Sequence, residues 1–117
     1  MAFQLGKSGI KTITGKVDIF EPLDFGARRK VGSLNVTVEV LPRSEFADLV
    51  DAVRHDREVA RQLVKNIEPA DAQTVTEEYR PELMDELYEI DWQFDPIFEL
   101  VMQANSSRLR RALRTKN

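Results

Sequence analysis

The sequence predicts an α+β fold: an N-terminal β-hairpin or small antiparallel sheet packed on a C-terminal group of three to five α-helices. Three observations predict it. Leu34, Val36, Val38 and Val40 alternate with Asn35, Thr37 and Glu39, a strict period of two rich in β-branched residues, which is the pattern of a strand with one buried face. Phe46, Leu49, Val50 and Val53 then follow at i, i+3, i+4 and i+7, which is one helical stripe. Beyond them the apolar residues keep helical spacing, so strands come first and helices after, the segregated order of an α+β domain. The strand's apolar face needs a cover, and the helix directly after it is expected to supply that cover.

Taken in order, residues 1–14 carry Gly6 and Gly9 and read as a mobile arm or a weak edge strand. Residues 15–21 (GKVDIFE) place Val17 and Ile19 on one side and Phe20 opposite, a first strand that Pro22 ends because proline cannot donate to a ladder. Asp24, Gly26 and the basic run Arg28-Arg29-Lys30 make a polar connection of about ten residues, long for a hairpin. Gly32 opens the second strand and Pro42 stops it; Ser44 offers a side-chain oxygen to the free N–H groups of the first helix. His55-Asp56 marks a break, with His55 read as a surface or capping side chain. Residues 57–67 resume helical spacing through Val59, Leu63, Val64 and Ile67, and Pro69 ends that helix. Residues 69–80 are polar and read as a loop, with Thr74 and Glu77 a candidate capping box for a further helix. Residues 82–90 carry Leu83, Leu87 and Ile90 on one helical side. Asp95-Pro96 is the cleanest helix start in the chain, aspartate capping and proline at the first helical position, before the stripe Ile97, Phe98, Val101, Met102. Ser106 and Ser107 interrupt or end that helix, and Leu109, Ala112 and Leu113 form a thin stripe among arginines.

A chain of 117 residues reads as a single domain, residues 1–117, large enough for one core without staples. Apolar (42%) and charged (32%) fractions fit a globular protein on the polar side. The absence of cysteine removes disulfides, thiolate metal sites and cysteine catalysis, and suits a reducing compartment. No apolar run approaches the roughly 18 residues that cross a membrane, and the first residues lack the apolar core of a signal peptide, so a cytoplasmic location is the default expectation. The net charge of −3 is unevenly spread: residues 77–104 carry nine acids against Arg80 alone, whereas the tail, residues 105–117, carries five basic residues and no acid. Such segregation marks an interaction tail or self-association between opposite patches.

No constellation for catalysis stands out. His55 is the one histidine, with no nucleophile or orienting carboxylate identified for it. Glu82, Glu86 and Glu89 share a helical face that suits a hard cation or, more blandly, water. Gly6-Lys7-Ser8 lacks the upstream glycine and strand of a phosphate loop. We therefore assign no catalytic residue, no metal ligand and no cofactor. Arg108, Arg110, Arg111 and Arg114 suit phosphates, yet the aromatic residues lie beside acids (Tyr88-Glu89, Asp91-Trp92, Phe94-Asp95, Phe98-Glu99), and a stacking platform for nucleic acid needs both together. Tyr88, Trp92, Phe94 and Phe98 form the densest aromatic cluster; some members serve the core and others are candidate anchors for a protein partner, with the four arginines as a second candidate contact.

The order of parts resembles the tail assembly chaperones of long-tailed phages and prophages, the short product of the two made from one frameshifting gene. The likeness rests on the MAF start, the hairpin, the strand and helix of VEVLPRSEFADLV, the later helices and the basic ending ALRTKN. Members often have a strand, a polar stop and a helix of the form E-hydrophobic-x-x-L, and many end near Lys-Asn, a pair that a slippery run of adenines can encode. Many relatives carry a tryptophan at the end of the second helix, where this chain reads Lys65-Asn66-Ile67-Glu68. The resemblance implies no catalysis. It implies binding to the tape-measure protein, whose long apolar helices such chaperones keep from aggregating, recruitment of tail tube subunits, self-association into a homo-oligomer, and action in the host bacterial cytoplasm. Two other readings stand beside it: a structural head–tail connector or tail terminator subunit, and a small nucleic-acid-binding regulator using the basic tail.

Overall fold

Alternation along the first two strands fixes one face of a sheet. In the computed structural model, which describes residue 5 and residues 11–106, β1 (Thr12–Pro22) and β2 (Arg28–Glu39) pair antiparallel, with Val17 opposite Leu34 and Gly15 opposite Val36. Val17, Ile19, Leu34, Val36 and Val38 are buried on that face. β3 (Val64–Pro69) pairs antiparallel with the other edge of β2, giving the order β1-β2-β3. Four helices complete the described residues: α1 (Arg43–Val53), α2 (Asp56–Leu63), α3 (Leu83–Tyr88) and α4 (Asp91–Asn105). The fold is α+β, an N-terminal three-stranded antiparallel sheet with helices mostly C-terminal to it.

The cover of the sheet is α4, not α1. Phe94, Ile97, Leu100, Val101 and Ala104 are all buried, and α4 lies against β1 and β2. Gly15 permits this closeness: a Cβ there would sit 2.8 Å from Cδ1 of Leu100, inside van der Waals contact. Asn105 locks the end of α4 to the link after β2. Its side-chain oxygen accepts from the Leu41 N–H at 2.8 Å, and its amide donates to the carbonyls of Glu39 at 3.0 Å and Val101 at 3.1 Å. α1 buries no residue; Phe46, Leu49 and Val53 only lean on the core.

Other local expectations are corrected for identifiable reasons. Arg28-Arg29-Lys30 belongs to β2 rather than to a long loop, because each cation finds a partner across the ladder: Arg29 pairs with Glu21, Lys30 Nζ lies 3.5 Å from Asp18, and the Arg28 guanidinium lies 4.5 Å from the Phe20 ring centroid. The turn is short, a single 3-10 turn at Asp24–Gly26 with φ of 60° at Phe25 and 77° at Gly26. Residues 64–67 leave the helical register for β3. Val64 and Ile67 are three apart, a spacing that suits a helix and normally puts strand residues on opposite faces. A bulge at Lys65 restores parity, Val38 pairing with Val64 and Val36 with Ile67, so both side chains are buried.

Helix starts differ too. α1 begins at Arg43 with Pro42 flanking and no side-chain cap, so Ser44 lies inside the helix. Thr74 starts no helix; its hydroxyl donates to Asp71 and accepts from the Ser33 N–H at 3.0 Å, which ties the segment after β3 to β2. α3 runs only from Leu83 to Tyr88, with Met84 as its buried residue and Ile90 outside it, 38% exposed. α4 starts at Asp91, and Pro96 sits inside it, leaving the Trp92 carbonyl without its intrahelical donor. Residues 12–14 belong to β1; the rest of the expected N-terminal arm, Leu5 and Lys11 apart, lies outside the described residues, as does the basic tail from residue 107.

Candidate functional site

Three helices that share a core without interlocking leave a groove between them. Phe46 and Val50 of α1, Val59 of α2, and Phe98 and Met102 of α4 wall a concavity of about 710 Å3. Phe46 and Val50 are one turn apart on α1, as Phe98 and Met102 are on α4, so the apolar lining runs along both helices. Val50 is 36% exposed. One end is polar, where α1 turns into α2: Arg54 adopts the left-handed conformation (φ 49°) and His55 is extended. His55 Nδ1 accepts from the Arg57 N–H at 3.2 Å and so caps α2, the role read from the sequence.

A line of rings runs from that turn into the core. His55 and Tyr88 lie 5.2 Å apart, Tyr88 meets Phe94 edge-on at 5.1 Å, and Phe94 stacks with Phe98 at 5.7 Å. The Arg57 guanidinium lies 5.7 Å from the Tyr88 ring and 3.5 Å from Asp85, which also pairs with Arg61 at 3.2 Å. These pairs fix α2 against α3 and hold Tyr88 at the surface.

The structure thus separates the residues singled out from sequence. Tyr88 is exposed and packs beside His55 without lining the groove, Phe98 forms part of the wall, and Phe94 is buried in ring contact with both Tyr88 and Phe98 at 2% exposure, offering no surface of its own. Trp92 lies elsewhere, in a second concavity of about 360 Å3 with Phe20, Pro22, Arg28 and Pro96. Arg108, Arg110, Arg111 and Arg114 lie outside the described residues. Sequence reasoning missed Phe46, Val50 and Met102 as groove residues; the signals are the α1 stripe, which the sequence alone directs to the sheet, and the α4 stripe that carries Met102.

Other polar groups are tied into structure. Asp71 accepts from the N–H groups of Gln73 (3.0 Å) and Thr74 (2.8 Å) and from the Thr74 hydroxyl (2.7 Å), and the last bond chiefly holds its carboxyl below the ordinary range. The Ser33 hydroxyl, donating to Asp18 at 2.7 Å, lowers that carboxyl in the same way, helped by Lys30 and Lys16. Burial pushes Tyr79 above its usual value, and its hydroxyl donates to the Val64 carbonyl at 2.9 Å. Between residues 73–77, which follow β3, and α3–α4 lies a cavity of about 320 Å3, walled by Leu34, Ile67, Leu83 and Ile97 and bordered by Thr74 and Gln93. Glu86 of the candidate cation face pairs with Arg80 at 3.1 Å, and among the described residues no group of three or more histidine or carboxylate side chains is placed to hold a metal ion. No described helix is long and apolar enough to cross a membrane.

Compared with protein-family models, curated proteins and solved structures, the chain matches none of them.

Proposed function

We propose that this chain is a non-enzymatic binding and assembly protein of the phage tail assembly chaperone kind, and that its helical groove receives an apolar face of the tape-measure protein. The observation that supports this reading is the groove itself: an open apolar trough walled by Phe46, Val50, Phe98 and Met102, with charge confined to one end. A trough of this form suits an amphipathic helix laid along it, its i, i+3, i+4 and i+7 side chains seated on the walls. A long, apolar, helical client supplies such faces repeatedly. Arg29 and Lys30 of β2 already pair with Glu21 and Asp18, so this run adds little to a nucleic-acid reading, which would rest on the basic tail alone.

Co-expression with a tape-measure protein of a long-tailed phage tests the proposal. The wild-type chain is expected to keep that protein soluble and to copurify with it, and Val50→Asp, which places a charge on an exposed wall of the groove, to weaken the complex by about tenfold or more. Unchanged binding by that variant overturns the groove assignment. Stable retention of the chain in purified particles overturns the chaperone assignment in favour of a structural subunit.

A further inference from the structure

The two edges of the sheet are unlike. β3 is six residues long, carries a bulge at Lys65 and stops at Pro69, all features that blunt an edge. β1 runs for eleven residues with its proline only at the end, and among the described residues no strand pairs with its outer side. One bond fixes the direction of its backbone groups. The Val40 N–H donates to the Lys11 carbonyl at 2.8 Å, so these two form a hydrogen-bonded pair. Such pairs recur at every second residue, here Ile13 with Val38, Gly15 with Val36 and Val17 with Leu34. The N–H and C=O groups of Thr12, Thr14, Lys16 and Asp18 therefore point away from β2, and all four residues are exposed. A row of this kind is a template for one more strand.

The side chains select which strand. When β1 meets its own copy about a two-fold axis, the centre of the pairing assigns every residue its opposite number. Centring on Lys16 sets lysine against lysine, and centring on Gly15 sets Lys16 and Asp18 against threonines. Centring on Val17 sets Lys16 against Asp18 of the other copy, twice, on the exposed face, and Val17 against Val17 on the apolar face. In that register the outward backbone groups of Lys16 and Asp18 also meet, as a hydrogen-bonded pair requires. We propose that β1 pairs antiparallel with β1 of a second copy, centred on Val17, and joins two three-stranded sheets into one of six strands. A second copy is favoured over another extended chain because the charges of this edge complement themselves. Asp18 already accepts from the Ser33 hydroxyl at 2.7 Å, and a carboxylate has room for a further donor. The pairing uses no residue of the helical groove and does not depend on the chaperone reading.

The test uses the full chain alone. Sedimentation is expected to show a reversible wild-type dimer. Lys16→Asp, at an exposed position, sets two pairs of carboxylates face to face and is expected to raise the dissociation constant about tenfold or more. Asp18→Lys does the same with lysines. Mixed in equal amounts, the two variants are expected to form a heterodimer, since one chain then presents two acids to two lysines. Amide exchange reads the register: rising protein concentration slows Thr14, Lys16 and Asp18 and leaves Gly15 and Val17, already bonded to β2, unchanged. Asp18→Lys gives up the Ser33 bond; if it fails to fold, Lys16→Asp and the exchange pattern decide by themselves. A wild type that stays monomeric up to about 1 mM overturns the proposal. A dimer that Lys16→Asp leaves intact, or that does not slow exchange at Thr14, Lys16 and Asp18, also overturns it, since its interface then lies elsewhere.

Discussion

α1 and α4 both carry an apolar stripe, yet only one of them builds the core. α4 buries six residues and rests on the sheet through the gap left by Gly15, whereas α1 buries none. A sheet with one apolar face has room for a limited cover, and the helix that removes most apolar area from water takes that place. Phe94, Ile97, Leu100 and Val101 bring more area than Phe46, Leu49 and Val53. α1 is left with a half-used stripe whose outer side becomes a wall of the groove. A strong amphipathic pattern marks a face that needs a partner, and the partner need not be the neighbouring strand.

Substitutions break this comparison most sharply where it is largest. Ile97→Ala on α4, at 0% exposure, is expected to lower stability by about 2–5 kcal/mol, while Val50→Ala on α1 stays within about 0.5 kcal/mol; urea unfolding checks both. Comparable losses at the two sites refute the division into core and periphery. Asn105→Ala comes next, at about 1–3 kcal/mol, because the Leu41 N–H and Glu39 carbonyl lose their partner. The change is expected to appear in hydrogen exchange as loosening at the start of α1 before any at the centre of α4, and the reverse order counts against the link. Tyr79→Phe is the smallest, about 0.5–1.5 kcal/mol, and it probes the bond that ties the segment after β3 back to the Val64 carbonyl. Burial raises the pKa of Tyr79 in the folded state, so its contribution is fully present below about pH 10 and is lost as pH rises through the folded value. The wild type's advantage over Tyr79→Phe in thermal unfolding is therefore expected to hold at pH 7–9 and to shrink only above about pH 10; an advantage that persists as pH rises through the folded value refutes the role of the neutral hydroxyl.

Much of the architecture was legible in the residues. The period of two in β2, the α1 stripe, the break at His55 and the interruption at Ser106 all appear where the sequence puts them. β3 was not legible, because a bulge at Lys65 exchanges the parity of Val64 and Ile67 and no local pattern announces a bulge. The start of α4 was displaced because Asp95-Pro96 carries the local signature of a cap, while burial of Phe94 outweighs the hydrogen bond that Pro96 gives up. For the candidate site, Tyr88 and Phe98 were readable as aromatic density, but the separation of Trp92 and the burial of Phe94 depended on which way each turn of α4 faces the sheet.

The sequence by itself determined the class of fold, the order of strands and helices, the segregation of charge, and the side chains able to line a contact. These come from periodicity and composition, which act over a few residues. The tertiary structure alone decided that α4 covers the sheet, that β3 joins it, and that the α1 stripe opens onto a groove. Those outcomes arise from competition between distant segments for the same buried area, and the winner depends on area, on a missing Cβ at Gly15 and on one bulge.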